Sequence, residues 1–269
     1  MFMIQASSAA SRALKISAIA WFVAAVAGLW LFGSYIVALY GTGAVTGDWQ
    51  RWNAVLPKDH GYMPGDLAGN IALGGHLLMA AILTFGGVVQ LVPHIRAHIM
   101  PLHRWNGRLF ILTAILVAAT GLVINALRGN VAGLYMQIGN ITDGLLVILS
   151  AVLTWRYARA GNINLHQRWA MRTFILVNGV WFYRLGMMVW LIATQGAGHT
   201  DAFDGPFDLF IGLGHFLLPL AVLEIYMRIR DGGGSGAKWI MTLVMALITV
   251  ITAAGIVAAT LFMWLPNLR

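Results

Sequence analysis

Long apolar runs alternate with short polar links along this chain, and the alternation predicts seven helices that cross a lipid bilayer. The runs cover 16–40, 70–92, 105–127, 138–157, 169–194, 207–227 and 239–265. Each reaches the roughly 20 residues that a helix rising about 1.5 Å per residue needs to cross ~30 Å of hydrocarbon. The first run exceeds a signal-peptide core of about 7–15 residues, so it reads as a retained span. Between spans one and two, 41–69 is polar and carries Asp48, Arg51, Lys58, Asp59, His60 and Asp66 with Trp49, Trp52 and Tyr62. It reads as a folded external loop with a short interfacial helix over 49–56. The stretch Gly232-Gly233-Gly234-Ser235-Gly236 is a flexible turn before the last span.

Composition agrees with this pattern. Hydrophobic residues make up 59% of the chain and charged residues 10%, against about a quarter charged in soluble proteins. The class is an integral membrane protein, an all-α polytopic bundle forming one domain over 1–269. A formal charge of +8 would suit nucleic acid, but the basic residues flank apolar runs and form no solvated basic domain, so no nucleic-acid partner is expected. The lipid bilayer is the expected partner. With no cysteine there is no disulfide, thiolate or iron–sulfur site, and a metal or haem would need histidine ligands.

The basic residues also set orientation. Arg12, Lys15, Arg96, Arg104, Arg108, Arg156, Arg159, Arg168, Arg172, Arg228, Arg230 and Lys238 fall at one side of the alternating spans, against Arg51, Lys58, Arg128 and Arg269 at the other. The amino terminus is therefore expected in the cytoplasm and the carboxyl terminus outside.

The motif His103-Arg104-Trp105-Asn106-Gly107-Arg108 returns, one residue longer, as His166-Gln167-Arg168-Trp169-Ala170-Met171-Arg172. Each copy opens a span at the cytoplasmic side, which predicts two variants of one helical hairpin. Ionisable groups inside spans are costly, so each implies a partner or a task. His76 in span two and His215 in span six sit at similar depth, with Gly74, Gly75, Gly212 and Gly214 beside them. They read as axial ligands of a haem b, with His103 and His166 as a second pair and Arg104, Arg108, Arg168 and Arg172 placed for propionates. On that reading the chain is a membrane electron carrier exchanging electrons with quinol or another membrane redox protein. Hydrogen bonding between helices is the plainer role for the same histidines, and headgroup contact for the inner arginines. An enzyme alternative is zinc-assisted hydrolysis at His76, His215 and Asp208. A third reading is an accessory or scaffold subunit of a larger complex, without a cofactor.

Further charges complete the expectation. Arg184 inside span five needs Asp143 or Asp208 as a partner, or an anionic group. Glu224 meets Arg228 at i+4. Pro219 removes the hydrogen bond to the His215 carbonyl and kinks span six. His94 and His98 face one way only if their link is helical, which Pro93 and Pro101 argue against. His60 and His199 read as solvated loop residues.

The residues Gly75-His76, Gln90-Leu91-Val92-Pro93, His103-Arg104-Trp105-Asn106-Gly107-Arg108-Leu109, His166 to Arg172 and Arg184 resemble the predicted bacterial membrane proteins grouped as domain of unknown function 2306. The resemblance covers about 69–184. It implies a multi-pass protein of a bacterial inner membrane and carries no settled activity. A likeness of layout alone connects the histidine pairs to transmembrane cytochromes b that reduce ferric iron or monodehydroascorbate. In those the ligands lie on four successive helices, whereas here they fall on spans two, three, five and six.

Overall fold

Asn178, inside the fifth apolar run, divides a helix that hydropathy alone would draw as continuous. In the computed structural model, which describes residues 8–56, 60–130 and 132–268, its side-chain amide donates to the Phe174 carbonyl at 2.7 Å. Its main-chain N–H turns to Ile175, so the α-helical ladder stops. An asparagine amide competes with the main chain in this way, and Gly179 follows it. The chain bends by 50° and restarts. Lys58, Asp59 and Arg269, expected on the outer side, lie outside the described residues.

The elements follow in chain order. Helix α1 (Ala9–Ile36) begins on Ser8, whose side chain accepts from Ser11 N–H, and runs through a π-turn, Val37–Gly41, into α2 (Thr42–Thr46). Helix α3 (Leu67–Leu91) is capped by Asp66 and followed by α4 (Pro93–His98), α5 (Met100–Arg128) and α6 (Gly133–Arg159). The broken fifth span is α7 (Ile163–Leu176) and α8 (Gly179–Thr194); α9 (Pro206–Gly232) and α10 (Ser235–Ala259) close the bundle, α10 continuing through a π-turn, Thr260–Trp264. Among the described residues there is no strand. Six helices are long and apolar enough to cross a membrane, and there are seven candidates if the bent pair α7–α8 counts as one span. Leu112, Leu145, Leu243, Leu247 and Phe262 are all more than half exposed. That outward apolar surface belongs against acyl chains, as the sequence requires.

Several boundaries differ from the sequence reading. The first span continues past Tyr40 to Thr46. The expected interfacial helix is a shorter 3-10 turn, Trp49–Asn53. The link before span three is helical after all, because Pro93 and Pro101 occupy first-turn positions of α4 and α5, where a missing N–H costs nothing. His94 and His98 accordingly stack, with ring centroids 4.2 Å apart. The two motif copies match closely in placement: His103 is the fourth residue of α5 and His166 the fourth of α7. Helix α9 runs on through Pro219.

Helix α1 packs between α3 and α10, α5 joins α3 to α6, and α6 carries α7 and α9, while α8 lies against α9 and α10. One core gathers Leu29, Leu73, Trp181, Leu185, Ile256 and Trp264 between α1, α3, α8 and the end of α10. A second holds Leu83, Phe110, Ala114, Val147, Leu176 and Phe216. Around the break at Asn178, Ile175 and Trp181 belong to the first core and Leu176 to the second.

Candidate functional site

The buried face of α6 presents Gly139, Asp143, Val147, Ser150 and Thr154 at helical spacing. Across from it, His215 on α9 is 2% exposed. A Cβ at Gly139 would overlap the Gly212 carbonyl oxygen and stand 3.4 Å from His215 Cε1. Only glycine lets the two backbones meet here. At the restart of the broken span, a Cβ at Gly179 would overlap Asp143 Oδ2 and come within 3.2 Å of His215 Cδ2. His215 Nε2 lies between those two ring carbons, so it faces α6 and α8. Tyr183, one turn after Gly179, meets the imidazole edge-on with centroids 6.1 Å apart.

Two polar atoms at this junction have no partner among the described residues. His215 Nδ1 lies 3.0 Å from the Ile211 carbonyl; a carbonyl only accepts, so Nδ1 carries the proton and Nε2 bears the lone pair. Nε2 is buried and meets no donor, and Asp143 Oδ1 is buried and meets none either. Asp143 is 7% exposed. A lone buried carboxylate would be costly, whereas a carboxyl and an imidazole holding one proton between them carry no net charge. Helix α8 also starts beside Asp143, with its first main-chain N–H groups at that end.

The other expected site residues are placed as follows. His76 Nδ1 reaches the Val117 carbonyl at 3.0 Å and Thr120 Oγ1 at 3.2 Å, and its Cε1 lies 3.3 Å from where a Cβ at Gly121 would be. It therefore rests on α5 and shares none of these neighbours with His215. His166 Nδ1 contacts the Thr154 carbonyl at 3.1 Å, and His103, whose Nδ1 is buried without a partner, lies within electrostatic range of it. Arg108 sits 4.6 Å from the Trp105 ring centroid, and Arg172 4.6 Å from that of Trp169. Arg104 is exposed.

Three ionic expectations are corrected. Glu224 does not meet Arg228: it takes Arg172 bidentately, at 2.6 and 3.0 Å, because α7 packs against α9 on that face. Arg168 pairs with Asp231. Asp208 is not a partner of Arg184, since its carboxylate accepts from His199 Nδ1 at 2.7 Å and from the N–H groups of Thr200 and Gly205. His199 is thus tethered, not a free loop residue. Nor does Asp143 hold Arg184, whose guanidinium lies over the Phe32 ring at 4.9 Å. With Asp208 so occupied, no three of His, Cys, Asp and Glu converge as a metal site among the described residues.

The sequence reading missed Asp143 as the neighbour of His215. The signals were present: Gly139 and Asp143 stand one turn apart, and Asn178-Gly179 interrupts an apolar run.

Compared with known proteins, residues 73–203 match the family model described as predicted membrane protein, DUF2306. That segment holds His76, both motif copies, Asp143, the broken span and Arg184. No curated protein and no solved structure matches the chain.

Proposed function

We propose that this protein, whose residues 73–203 match the DUF2306 predicted membrane proteins, is a proton-coupled membrane carrier, with Asp143 and His215 holding the coupling proton. The observation that carries the reading is that two buried ionisable side chains, each with a polar atom that meets no partner among the described residues, abut Gly179 at the break of the fifth span. Discontinuous helices with ionisable side chains at mid-bundle are how membrane carriers build sites for ions and protons. One proton moves between Asp143 Oδ and His215 Nε2, while Nδ1 stays on the Ile211 carbonyl and keeps the ring oriented. The carrier sits in a bacterial inner membrane with its amino terminus in the cytoplasm, in accord with the basic residues flanking its spans.

Infrared difference spectra of the reconstituted protein between acid and alkaline pH test this. A protonated-carboxyl band should vanish in Asp143→Asn and shift in His215→Gln. Spectra of both variants identical to the wild type would sink the proton site and leave a structural role for the pair.

A second reading, haem b, is favoured by one observation: Nδ1 of His76, His166 and His215 each lies on a main-chain carbonyl, which leaves every Nε2 lone pair directed outward as in ligating histidines. The donor chemistry fits; the placement fits less well, because His215 Nε2 faces α6 and α8 while His76 lies on α5. A bound haem would supply one-electron chemistry. An absorption spectrum of protein from haem-replete cells decides, since b-type bands lost in His76→Ala would establish this reading and a colourless protein would remove it.

A further inference from the structure

Arg184 plays no part in the proton site. It makes no ion pair or hydrogen bond with any described residue, although a guanidinium inside a bundle ordinarily has a partner. Other hydrogen-bond donors gather on the same side. Tyr35, one turn beyond Phe32 on α1, stacks on Trp264 with ring centroids 6.1 Å apart, and Phe32 meets the same indole at 5.5 Å. Trp264 Nε1 is buried and meets no partner among the described residues, and Tyr35 Oη is buried with no hydrogen bond of good geometry, the Asn267 side chain being the polar group near it. Trp181 Nε1 is in the same condition. Trp181 stands one turn before Arg184 on α8, against Gly28, one turn before Phe32 on α1. Arg184 is also close enough for its charge to act on Tyr35, Tyr40, Tyr183 and His76.

Asn267 beside Tyr35 apart, the chemistry of this group is one-sided. Guanidinium and indole N–H groups only donate, and the tyrosine hydroxyl can donate as well. The acids that might have answered are engaged elsewhere, Asp208 by His199 and Asp143 at the His215 junction. The geometry points to a binding site for an oxyanion between α1, α8 and the Thr260–Trp264 turn. A phosphate group, with at least two non-bridging oxygens to share among the donors, matches them best. Arg184 supplies the charge, Tyr35 and Trp264 fix the orientation, and the faces of Phe32 and Trp264 form the apolar wall. The phosphate is either free or carried by a lipid. This site shares no residue with the Asp143–His215 pair, so it stands or falls on its own.

The test uses the purified full-length protein in detergent. Inorganic phosphate is titrated by calorimetry and by the shift in thermal unfolding midpoint, and native mass spectrometry reports any phospholipid retained. Saturable phosphate binding identifies the free anion as the source; a retained phospholipid identifies the lipid. In whichever arm responds, Tyr35→Phe and Trp264→Phe should each weaken binding about tenfold, and Arg184→Gln should abolish it. No response in either arm, or a response undiminished in Arg184→Gln, overturns the proposal. If Arg184→Gln does not fold, Tyr35→Phe decides, and unchanged binding in that variant overturns it equally.

Discussion

Arg128, in the last turn of α5, closes on Asp66, the capping residue of α3, with Nη2 2.7 Å from Oδ2. The same guanidinium donates from Nη1 to the Gly61 carbonyl at 2.6 Å and from Nη2 to Asn70 Oδ1 at 3.0 Å. One arginine thus fastens the loop before α3 to the ends of two helices, which gives Arg128 a structural reason to stand on the side poor in basic residues. The hydrogen bond from Arg128, helped by the Gly69 N–H, holds the Asp66 carboxyl below the usual carboxylate range. Its folded pKa is lower than its unfolded one, so the stabilisation is complete above pH ~4 and is lost as pH falls through the folded value. The unfolding midpoint should therefore drop in that acid window, and Asp66→Asn should flatten the drop. An identical acid profile in the variant would show that the contact adds nothing.

Glu224 and Arg172 are each only partly shielded, with side chains 29% and 18% exposed. Removing one partner should cost about 2 kcal/mol, between the values for surface and buried pairs. Denaturation of Glu224→Gln measures the loss, and the exchange Arg172→Glu with Glu224→Arg should recover part of it. No recovery would mean that the pairing is incidental to the packing of α7 on α9.

The glycines separate sharply by what surrounds them. Gly139→Ala drives a methyl group into the Gly212 carbonyl, whereas a Cβ at Gly75 meets nothing within 4 Å. Gly139→Ala should lose about 1–3 kcal/mol or fail to fold; Gly75→Ala should change stability by less than about 0.5 kcal/mol. Comparable losses in the two variants would contradict the close approach of α6 and α9.

Topology follows from the flanking charges. A reporter fused after Arg230 should read cytoplasmic and one at Arg269 external. Both on one side would mean that α10 does not cross the membrane.

Hydropathy made the spans legible, because the cost of an unpaired main chain in lipid leaves helices as the only use for such runs. Partners between helices were another matter. The i+4 rule assigned Glu224 to Arg228, but a rule about one helix knows nothing of α7, where Arg172 waits. Asp143 and His215 lie 72 positions apart by number and come to share Gly179 as a neighbour where Gly139 and Gly212 let α6 and α9 touch. Asn178 was visible as a polar residue in an apolar run, yet whether its amide serves its own backbone or a neighbour depends on local geometry that hydropathy does not record.

The two halves of the fifth span answer to different neighbours. Helix α7 is held by α6 and α9, whereas α8 is held by α9 and α10, and Gly255 on α10 sits so close that a Cβ there would press to 3.0 Å on Leu185 Cβ. Of the two halves, α8 is therefore the one on which the last helix bears most directly. The bend at Asn178 thus divides two sets of neighbours, and Gly179 on its far side is where the half held by α10 touches Asp143 and His215.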